Sequence, residues 1–289
     1  MKEYYYKYDT VSEFVDRINS QKVSKLFIDN GRENRLASVD GSEEFTYTES
    51  YEVANKLMEF GDKDMANKIN EMADAVDTDD VDVFVQSIKA KNERSFVGSM
   101  PHVPSYLVGN PRNMIRKRRI PTDTKIINIV YNCSIDCGQV TDDMIKVGAK
   151  ILYCLKEFEK AGYSVNLYMS FLGRTFWGSE SNAKSNDEVL GCVVKIKDSG
   201  QYMDIEKLAY LLANPSFFRR HYFRFIETEQ TLKKNRWTGG YGYIYNDKEA
   251  IKKMANKLGI ESNVAVVEYY QLKGKTPKET SELIKSINK

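Results

Sequence analysis

Hydrophobic residues recur at helical spacing in the first part of the chain, and capping residues mark where each helix begins. The pattern predicts a helix over 11–18 with Thr10 as its N-cap, and a second helix that begins after Ser50 and ends at Gly61. Asp62 is the expected cap of a third helix. The spacing therefore predicts a helical, loop-rich N-terminal segment.

A different pattern begins near residue 125, where strand and helix signals alternate. KIINIVYN is a buried-strand signal, and YSVNLYMSF at 163–171 is a second one. Between them an amphipathic helix begins at Thr141, its expected cap, and ends at Gly162. Its apolar stripe consists of Met144, Val147, Ile151, Leu155 and Phe158. A strand–helix–strand unit of this kind is right-handed, with parallel strands.

The remaining elements extend this sheet. No helix separates the strand at 163–171 from the next strand signal at 188–197, so these two strands are predicted to pair antiparallel. Further signals predict helices at 203–215, 248–258 and 277–287 and a strand at 263–270. The predicted fold class is α/β, with a doubly wound, mostly parallel sheet and an antiparallel edge strand.

A proline-rich stretch separates the two patterns. Residues 97–121 hold four of the six prolines, which predicts a largely irregular connector. We therefore divide the chain into a helical, loop-rich segment with its connector, residues 1–121, and an α/β domain, residues 122–289. Apolar side chains in the connector, such as Tyr106 and Leu107, are expected to pack against the protein as a wrapped extension.

Charge is unevenly distributed along the 289 residues, although the net charge is only +2. Residues 1–100 carry 13 Lys or Arg and 21 Asp or Glu, whereas residues 101–289 carry 30 and 20. The asymmetry indicates either two segments that dock on each other or a basic surface for an acidic partner.

The sequence shows neither a membrane-spanning apolar run nor a secretory signal. No apolar run approaches the roughly 20 residues that span a bilayer. The first ten residues lack the apolar core of a secretory signal, and four cysteines without a framework spacing fit reduced thiols. We expect a cytoplasmic protein with no membrane partner.

One loop carries a candidate for metal chemistry. The strand signal in IINIVYNCSIDCGQ, residues 126–139, runs into Asn132, Ser134 and Asp136 at alternate positions. A ligand is expected at such a loop, because open α/β sheets bind ligands at the carboxyl ends of their strands.

The order of strand, helix, strand, antiparallel edge strand and helix resembles the opening of the von Willebrand factor A domain. In that family the first strand ends in Asp-x-Ser-x-Ser, and the loop holds a magnesium ion. Here Asn132 replaces the first carboxylate, which leaves Ser134 and Asp136 as the remaining ligands. We expect the loop to keep its shape through hydrogen bonds of Asn132 and Ser134, with no cofactor and Mg²⁺ as the alternative.

The wider chain also resembles a family of uncharacterised proteins encoded by tailed bacteriophages and prophages. The matching stretches are FTYTESYEVANKLMEFG, VGSMPHVPSYLVGNP, INIVYNCSID, GAKILYCLKEFEKAGYSVNLY and VKIKDSGQYMDIEKLAYLLANPSFFRR. The resemblance implies the cytoplasm of an infected bacterial cell, or a virion, as the location. It brings no established activity.

Basic residues suggest a second kind of site. They lie in two stretches, Arg112, Arg116, Lys117, Arg118 and Arg119 in the first and Arg219, Arg220 and Arg224 in the second. The first could contact phosphates or form a solvated run. The second alternates with aromatic residues, as in sites for single-stranded nucleic acids, or packs in the core with its arginines on the acidic N-terminal segment.

Aromatic residues in glycine-containing loops suggest a protein interface. Trp177 lies at the tip of the predicted hairpin, and Trp237 and Tyr241 lie in the glycine-rich stretch 236–245. Exposed aromatic side chains often anchor protein interfaces, although these could equally fold back onto the domain.

Three functional hypotheses follow. The first is a non-enzymatic phage or prophage protein that binds another protein through Asn132, Ser134, Asp136 and the aromatic loops, acting on a host process or in phage assembly. The second is a nucleic-acid-binding protein that uses 112–119 and 217–224. The third is a metal-dependent enzyme, which has the least support because acid, base and metal ligands do not converge in the sequence. A homo-oligomer is compatible with each hypothesis.

Overall fold

A central sheet organises the molecule, which we describe from a computed structural model. The structure describes residues 1–74, 90–119, 126–136, 138–178, 180–260 and 264–287. The strands of the central sheet are β1 (Lys2–Tyr8), β5 (Ile126–Asn132), β6 (Ser164–Arg174), β7 (Glu188–Lys197), β8 (Tyr243–Ile244) and β9 (Val264–Glu268). Their spatial order is β1–β7–β6–β5–β9, and the short β8 pairs with the end of β6.

The direction of the strands matches the predicted class. β5 runs parallel to β6 and β9, and β1 runs parallel to β7. β6 and β7 are antiparallel, as predicted from the missing helix between them. A mixed α/β fold with a mostly parallel central sheet is therefore confirmed.

The edge of the sheet differs from the prediction. β7 was expected at the edge, but β1 pairs with it along its whole length, from Lys2 opposite Glu188 to Tyr8 opposite Val194. The sequence KEYYYKY lacks the alternation of apolar and polar residues that marks a strand, and only Tyr8 is buried. Residues 2–8 thus belong to the same sheet as the predicted α/β domain. The predicted boundary at 121/122 lies outside the described residues.

Helices cover both faces of the sheet. The helices that follow β1 are α1 (Val11–Ser20), α2 (Lys25–Asp29), α3 (Ala37–Asp40), α4 (Glu43–Thr46), α5 (Tyr51–Phe60) and α6 (Lys63–Asp74). Those of the second half are α8 (Thr141–Lys160), α9 (Ile205–Ala213), α10 (Phe223–Thr228), α11 (Arg236–Gly240), α12 (Lys248–Lys257), α13 (Tyr269–Lys273) and α14 (Pro277–Ile287). A π-helix, Phe217–Tyr222, precedes α10. Ile129 and Tyr131 face the core beneath α1, α8 and α9, whereas Val130 faces the core beneath α12.

The helix caps confirm most of the predicted starts. Thr10 Oγ1 accepts the Glu13 amide at 3.1 Å, Ser50 Oγ accepts the Val53 amide at 3.2 Å, and Asp62 accepts the Met65 amide at 2.9 Å. Thr141 is the exception, because it is the first helical residue and Val140 occupies the cap position. None of the helices in the described ranges is long and apolar enough to cross a membrane.

Residues 90–119 form a small unit that we call the 90–119 module. It comprises β2 (Ala90–Ser95), β3 (Met100–Pro101), α7 (Val103–Leu107) and β4 (Met114–Arg119), with the strand order β2–β4–β3. Residues 97–119 of the predicted irregular connector are therefore largely regular, because they contribute β3, α7 and β4 to this unit. Tyr106 and Leu107 are exposed, so the expectation that they pack against the protein was wrong.

Candidate functional site

The loop after β5 is held by hydrogen bonds between buried side chains. The Asn132 amide donates to Asn246 Oδ1 at 3.0 Å, and its oxygen accepts the Ser134 hydroxyl at 3.1 Å. Ser134 Oγ in turn accepts the amide of Leu172 on β6 at 2.9 Å. Neither Asn132 nor Ser134 has any exposed surface. The two predicted site residues thus fasten β5, β6 and the segment after β8 beneath the surface.

The oxygen atoms of the predicted metal ligands at this loop take part in hydrogen bonds within the protein. The Ser134 hydroxyl donates to Asn132 and accepts the amide of Leu172, and Asn132 supplies no charge. Asp136 is exposed and accepts the hydroxyl of Tyr270 on α13 at 2.5 Å. Magnesium needs near-octahedral oxygen ligands that are free to coordinate, usually with carboxylates among them. No group of three His, Cys, Asp or Glu residues with metal-site geometry occurs in the described ranges.

A cleft opens beside this loop, at the carboxyl ends of β5 and β6. Its volume is about 440 Å³, and we call it the carboxyl-edge cleft. The lining residues are Phe45, Ile135, Asp136, Phe171, Arg174, Trp177, Phe218, Arg219, Phe223, Gly240, Tyr241, Gly242, Tyr243, Ile244 and Asn246. Seven of these fifteen residues are aromatic, and the charged groups are two guanidiniums and one carboxylate. Its position is the one where open α/β sheets bind ligands.

Arg174, at the end of β6, is one of the two arginines that line the cleft. Its guanidinium lies 4.3 Å from the ring centre of Tyr245 and 5.0 Å from that of Phe176. One nitrogen donates to the Gly178 carbonyl, and the buried Nε has no hydrogen-bond partner among the described residues. Burial lowers the pKa of Arg174 from its ordinary value, although an arginine stays charged at neutral pH. Among the described residues Arg174 forms no ion pair with a carboxylate, so an anionic ligand would not have to displace one.

A second, more polar cleft of about 440 Å³ adjoins the first across Arg174. Besides Arg174, its charged groups are those of Asp247, Lys248 and Glu268. Burial raises the pKa of Glu268, and the nearby charge of Asp247 raises it further, while Lys248 opposes both. Asn246 lies in both clefts, so the Asn132–Asn246 hydrogen bond connects the β5 loop to each of them.

Stacked aromatic rings build the opposite wall. The rings of Phe223 and Tyr241 are stacked with centres 4.3 Å apart. Tyr241 is fixed there because its hydroxyl donates to Glu227 at 2.5 Å and accepts the amide of Ala37 at 2.9 Å. The π-helix turns Phe218 and Arg219 towards the same wall. π-helical turns occur frequently at functional sites.

Trp177 is the exposed part of the cleft, with 75% of its surface accessible. Its ring meets that of Tyr243 at 5.1 Å, edge to face, and the guanidinium of Arg236 lies 3.9 Å from the Tyr243 ring centre. Asp136, Trp177 and Tyr241, three of the predicted binding residues, therefore line one cleft. Arg174 and Tyr243 were missed, although Arg174 lies in the FLGRTFWGS stretch that drew attention to Trp177.

Trp237 was predicted to be an exposed anchor, and the structure corrects this. Its side chain is fully buried, and Nε1 donates to the Glu188 carboxylate at 3.2 Å. The close approach of the glycine backbone explains the burial, because a Cβ at Gly173 would lie 3.2 Å from the Trp237 ring. Trp237 supports the cleft from below and is unavailable to a partner.

The stretch 217–224 had two interpretations, a site for single-stranded nucleic acid or packing in the core with its arginines on the N-terminal segment, and the structure agrees with the second. Arg220 is completely buried and donates to the Thr48 hydroxyl at 2.7 Å and to the carbonyls of Ser38, Val39, Gly41 and Thr48. Arg219 is 3% exposed and donates to the carbonyl of Phe45 at 2.6 Å. Arg224 pairs with the buried Glu227 at 3.7 Å. The arginines do contact the N-terminal segment, but Arg219 and Arg220 do so through its carbonyls.

The first basic stretch lies on β4 and in the turn before it. Arg112 and Arg116 are exposed in the 90–119 module. Lys117, Arg118 and Arg119 belong to β4, and their side chains lie outside the described residues. The two predicted basic stretches are thus separate features, one on a small exposed sheet and one in the core.

Fold and site together define a mixed α/β protein with an aromatic, guanidinium-containing cleft at the carboxyl edge of its sheet. Residues 1–287 match the model of a family described as a domain of unknown function, DUF7192, and the chain belongs to this family. We find no match among curated proteins or among solved structures.

Proposed function

We propose that this protein is a non-enzymatic binding protein that engages another protein through the carboxyl-edge cleft. The observation that carries the proposal is the convergence of Asp136, Arg174, Trp177 and Tyr241 on one cleft. Aromatic and arginine side chains of this kind dominate the binding energy of protein interfaces. A cleft lined by aromatic rings and guanidinium groups fits a partner segment that carries apolar and anionic groups.

The chemistry of the cleft supports binding rather than catalysis. Its cationic groups are guanidiniums, which do not exchange protons near neutral pH. Its carboxylate, Asp136, already accepts a hydrogen bond from Tyr270. General acid–base work needs a group that titrates near the working pH and reaches the substrate.

A von Willebrand factor A-like core and a phage or prophage origin belong to the same proposal. The order of β5, α8, β6, the antiparallel β7 and α9 supports the first, and the stretches quoted from the sequence support the second. With that origin, the protein would act on a process of the host cell or in phage assembly. It would be located in the cytoplasm of the infected cell or in the virion.

Recovery of the tagged full-length protein from its native cell tests the proposal. We expect a defined protein partner that survives nuclease treatment and is lost when Trp177→Ala removes the exposed ring. Tyr202→Ala is the matched control, because Tyr202 is 92% exposed and follows β7 at the opposite end of the sheet. Equal recovery with Trp177→Ala, or loss of the partner on nuclease treatment, would contradict the proposal.

A further inference from the structure

Exposed apolar side chains are concentrated in the 90–119 module. Sixteen large hydrophobic side chains are exposed in the described part of the chain, and seven of them lie between residues 96 and 108. They are Phe96, Val97, Met100, Val103, Tyr106, Leu107 and Val108, and their exposure ranges from 55% at Met100 to 80% at Val108. Exposed apolar side chains that cluster in this way commonly mark an interaction site, and we call these seven the apolar patch of the module.

The patch is presented by a folded unit. The amide of His102 donates to Asn113 at 2.6 Å, and the amide of Asn110 donates to Ser105 at 2.9 Å. His102 also caps α7, with its ring nitrogen 2.7 Å from the Ser105 hydroxyl. The exposed side chains are therefore held in place by the backbone hydrogen bonds of the module.

The charge of the module points to an acidic partner. Residues 90–119 contain seven Lys or Arg residues and a single acidic residue, Glu93. Arg112 lies over the Phe96 ring, with its guanidinium 5.4 Å from the ring centre. The guanidinium of Arg112 thus borders one of the exposed apolar side chains directly. A surface that is both apolar and positive is complementary to one that is apolar and negative.

The types of side chain distinguish a protein from other anionic partners. Five of the seven basic residues are arginines. Arginine, methionine and aromatic residues are enriched in protein interfaces, whereas lysine is depleted. Single-stranded nucleic acid needs successive aromatic platforms, but five of the seven exposed apolar side chains are aliphatic. A second copy of the same positive module would be repelled.

We propose that residues 96–108 of the module, together with Arg112, form a docking surface for an acidic, amphipathic segment of another protein. The surface shares no residue with the carboxyl-edge cleft, so its role is independent of the function proposed for the cleft.

Fluorescence anisotropy with the full-length protein tests this surface. The probe is a labelled 20-residue peptide with Leu and Glu at helical spacing, and its partner peptide has every Leu replaced by Ser at the same charge. We expect the Leu/Glu peptide to bind at least about tenfold more tightly than the Ser/Glu peptide, because only the first can bury apolar surface.

Two variants locate the binding. Leu107→Ser combined with Val108→Ser should weaken binding of the Leu/Glu peptide about tenfold. Phe60→Ser is the matched control, because Phe60 is 71% exposed on α5, outside the module, and should bind like the wild type. Circular dichroism checks that both variants keep the fold.

Four outcomes would overturn the proposal. Equal binding of the two peptides would show that charge alone drives binding and that the apolar side chains make no contribution. No binding of the Leu/Glu peptide at millimolar concentration would show that the module is not a docking surface for an acidic, amphipathic segment. Tighter binding of a 20-nucleotide oligothymidylate would assign it to nucleic acid, and tighter binding to phosphatidylglycerol vesicles would assign it to a lipid surface.

Discussion

Arg220 shows how a residue that looks exposed in the sequence can organise the core. FFRRHYFRF alternates aromatic and basic residues, which resembles a stacking platform, but the π-helix directs Arg220 inwards. There its guanidinium hydrogen-bonds the Thr48 hydroxyl and four backbone carbonyls of the N-terminal segment. A loop whose carbonyls lack secondary-structure partners needs such a donor, because unpaired buried polar groups are costly.

Arg220→Met should lower the free energy of unfolding by at least about 3 kcal/mol, because several buried carbonyls lose their donor together. Urea unfolding followed by circular dichroism measures the change. Arg35→Met makes the same substitution at an exposed residue and should stay within about 0.5 kcal/mol of the wild type. A similar loss in both variants would show that Arg220 has no special structural role.

His221 makes stability depend on pH. It is fully buried, with its ring nitrogens 3.3 Å from the Tyr210 hydroxyl and 3.0 Å from Asn55 Oδ1. Burial lowers the pKa of His221 from 6.5 to about 3, and the neighbouring charge of Arg220 acts in the same direction. Below pH 6.5 the unfolded chain therefore takes up a proton that the folded protein refuses. The contribution of neutral His221 to the free energy of unfolding is therefore complete above pH 6.5 and is lost progressively down to about pH 3.

The contribution of His221 to the free energy of unfolding should thus fall by about 2 kcal/mol between pH 7 and pH 5. In His221→Gln this part of the pH dependence should disappear. Burial raises the pKa of Glu227, which acts with the opposite sign, but Glu227 is present in both proteins and cancels in the comparison. Parallel pH curves for the two proteins would refute the assignment.

At the scale of elements, periodic patterns in the sequence were sufficient to predict a strand or helix that is amphipathic or fully buried. β7 and α14 have the predicted bounds, and the apolar stripe of α8 is buried as expected. β1 escaped prediction because its residues are only partly buried and its partner is far away in the chain. The burial of Trp237 depends on Gly173 and Glu188, which only the tertiary structure brings to it.

The packing of α8 on α9 depends on one glycine. A Cβ at Gly148 would lie 2.6 Å from the Cα of Ala213, so the backbone of α9 occupies that space. Alanine normally stabilises a helix by about 1 kcal/mol relative to glycine. Here Gly148→Ala should instead destabilise the protein by about 1–3 kcal/mol, because the two helices must separate.

Thermal unfolding of Gly148→Ala measures this cost. Gly274→Ala, after α13, is the control, since no atom lies within 4 Å of the added Cβ, and its effect should be within about 0.5 kcal/mol. An increase in stability in Gly148→Ala would mean that propensity outweighs the contact between the helices.

At the scale of the whole molecule, the N-terminal segment and the predicted α/β domain share one core. Phe14 contacts the rings of Phe217, Tyr222 and Phe225, and the Phe27 ring lies 5.9 Å from that of Tyr241. Glu3 pairs with Lys253 at 2.6 Å. Charge counts suggested that the two parts dock on each other, but aromatic packing and arginine–carbonyl bonds could not be read from those counts.

A fragment of residues 122–289 should therefore fail to fold by itself, because it exposes the aromatic surface that Phe14 and Phe27 cover. We expect poor chemical-shift dispersion in its NMR spectrum and no cooperative unfolding transition, with the full-length protein as the control. A cooperative transition in the fragment would support the division at 121/122 that the sequence predicted.

The candidate site was predictable only in outline. The strand–loop–helix pattern placed Asp136 at the carboxyl edge, where the cleft lies, and an exposed hairpin tip supplied Trp177. The sequence could not show that Tyr241 closes the same cleft, because its position depends on hydrogen bonds to Glu227 and Ala37, which are remote in the chain. It also gave no means to tell Arg174, in the cleft, from Arg220, in the core.

The pairing of β1 with β7 has a consequence for the time course of biosynthesis. Lys2 pairs with Glu188. β1 therefore cannot pair with β7 until the ribosome has translated most of the chain. Contacts between residues so distant in sequence close late and slow the folding reaction. Until β7 has been translated, the tyrosine-rich β1 segment of the nascent chain lacks its strand partner. Other chains can aggregate with it, or a chaperone can bind it, during this time.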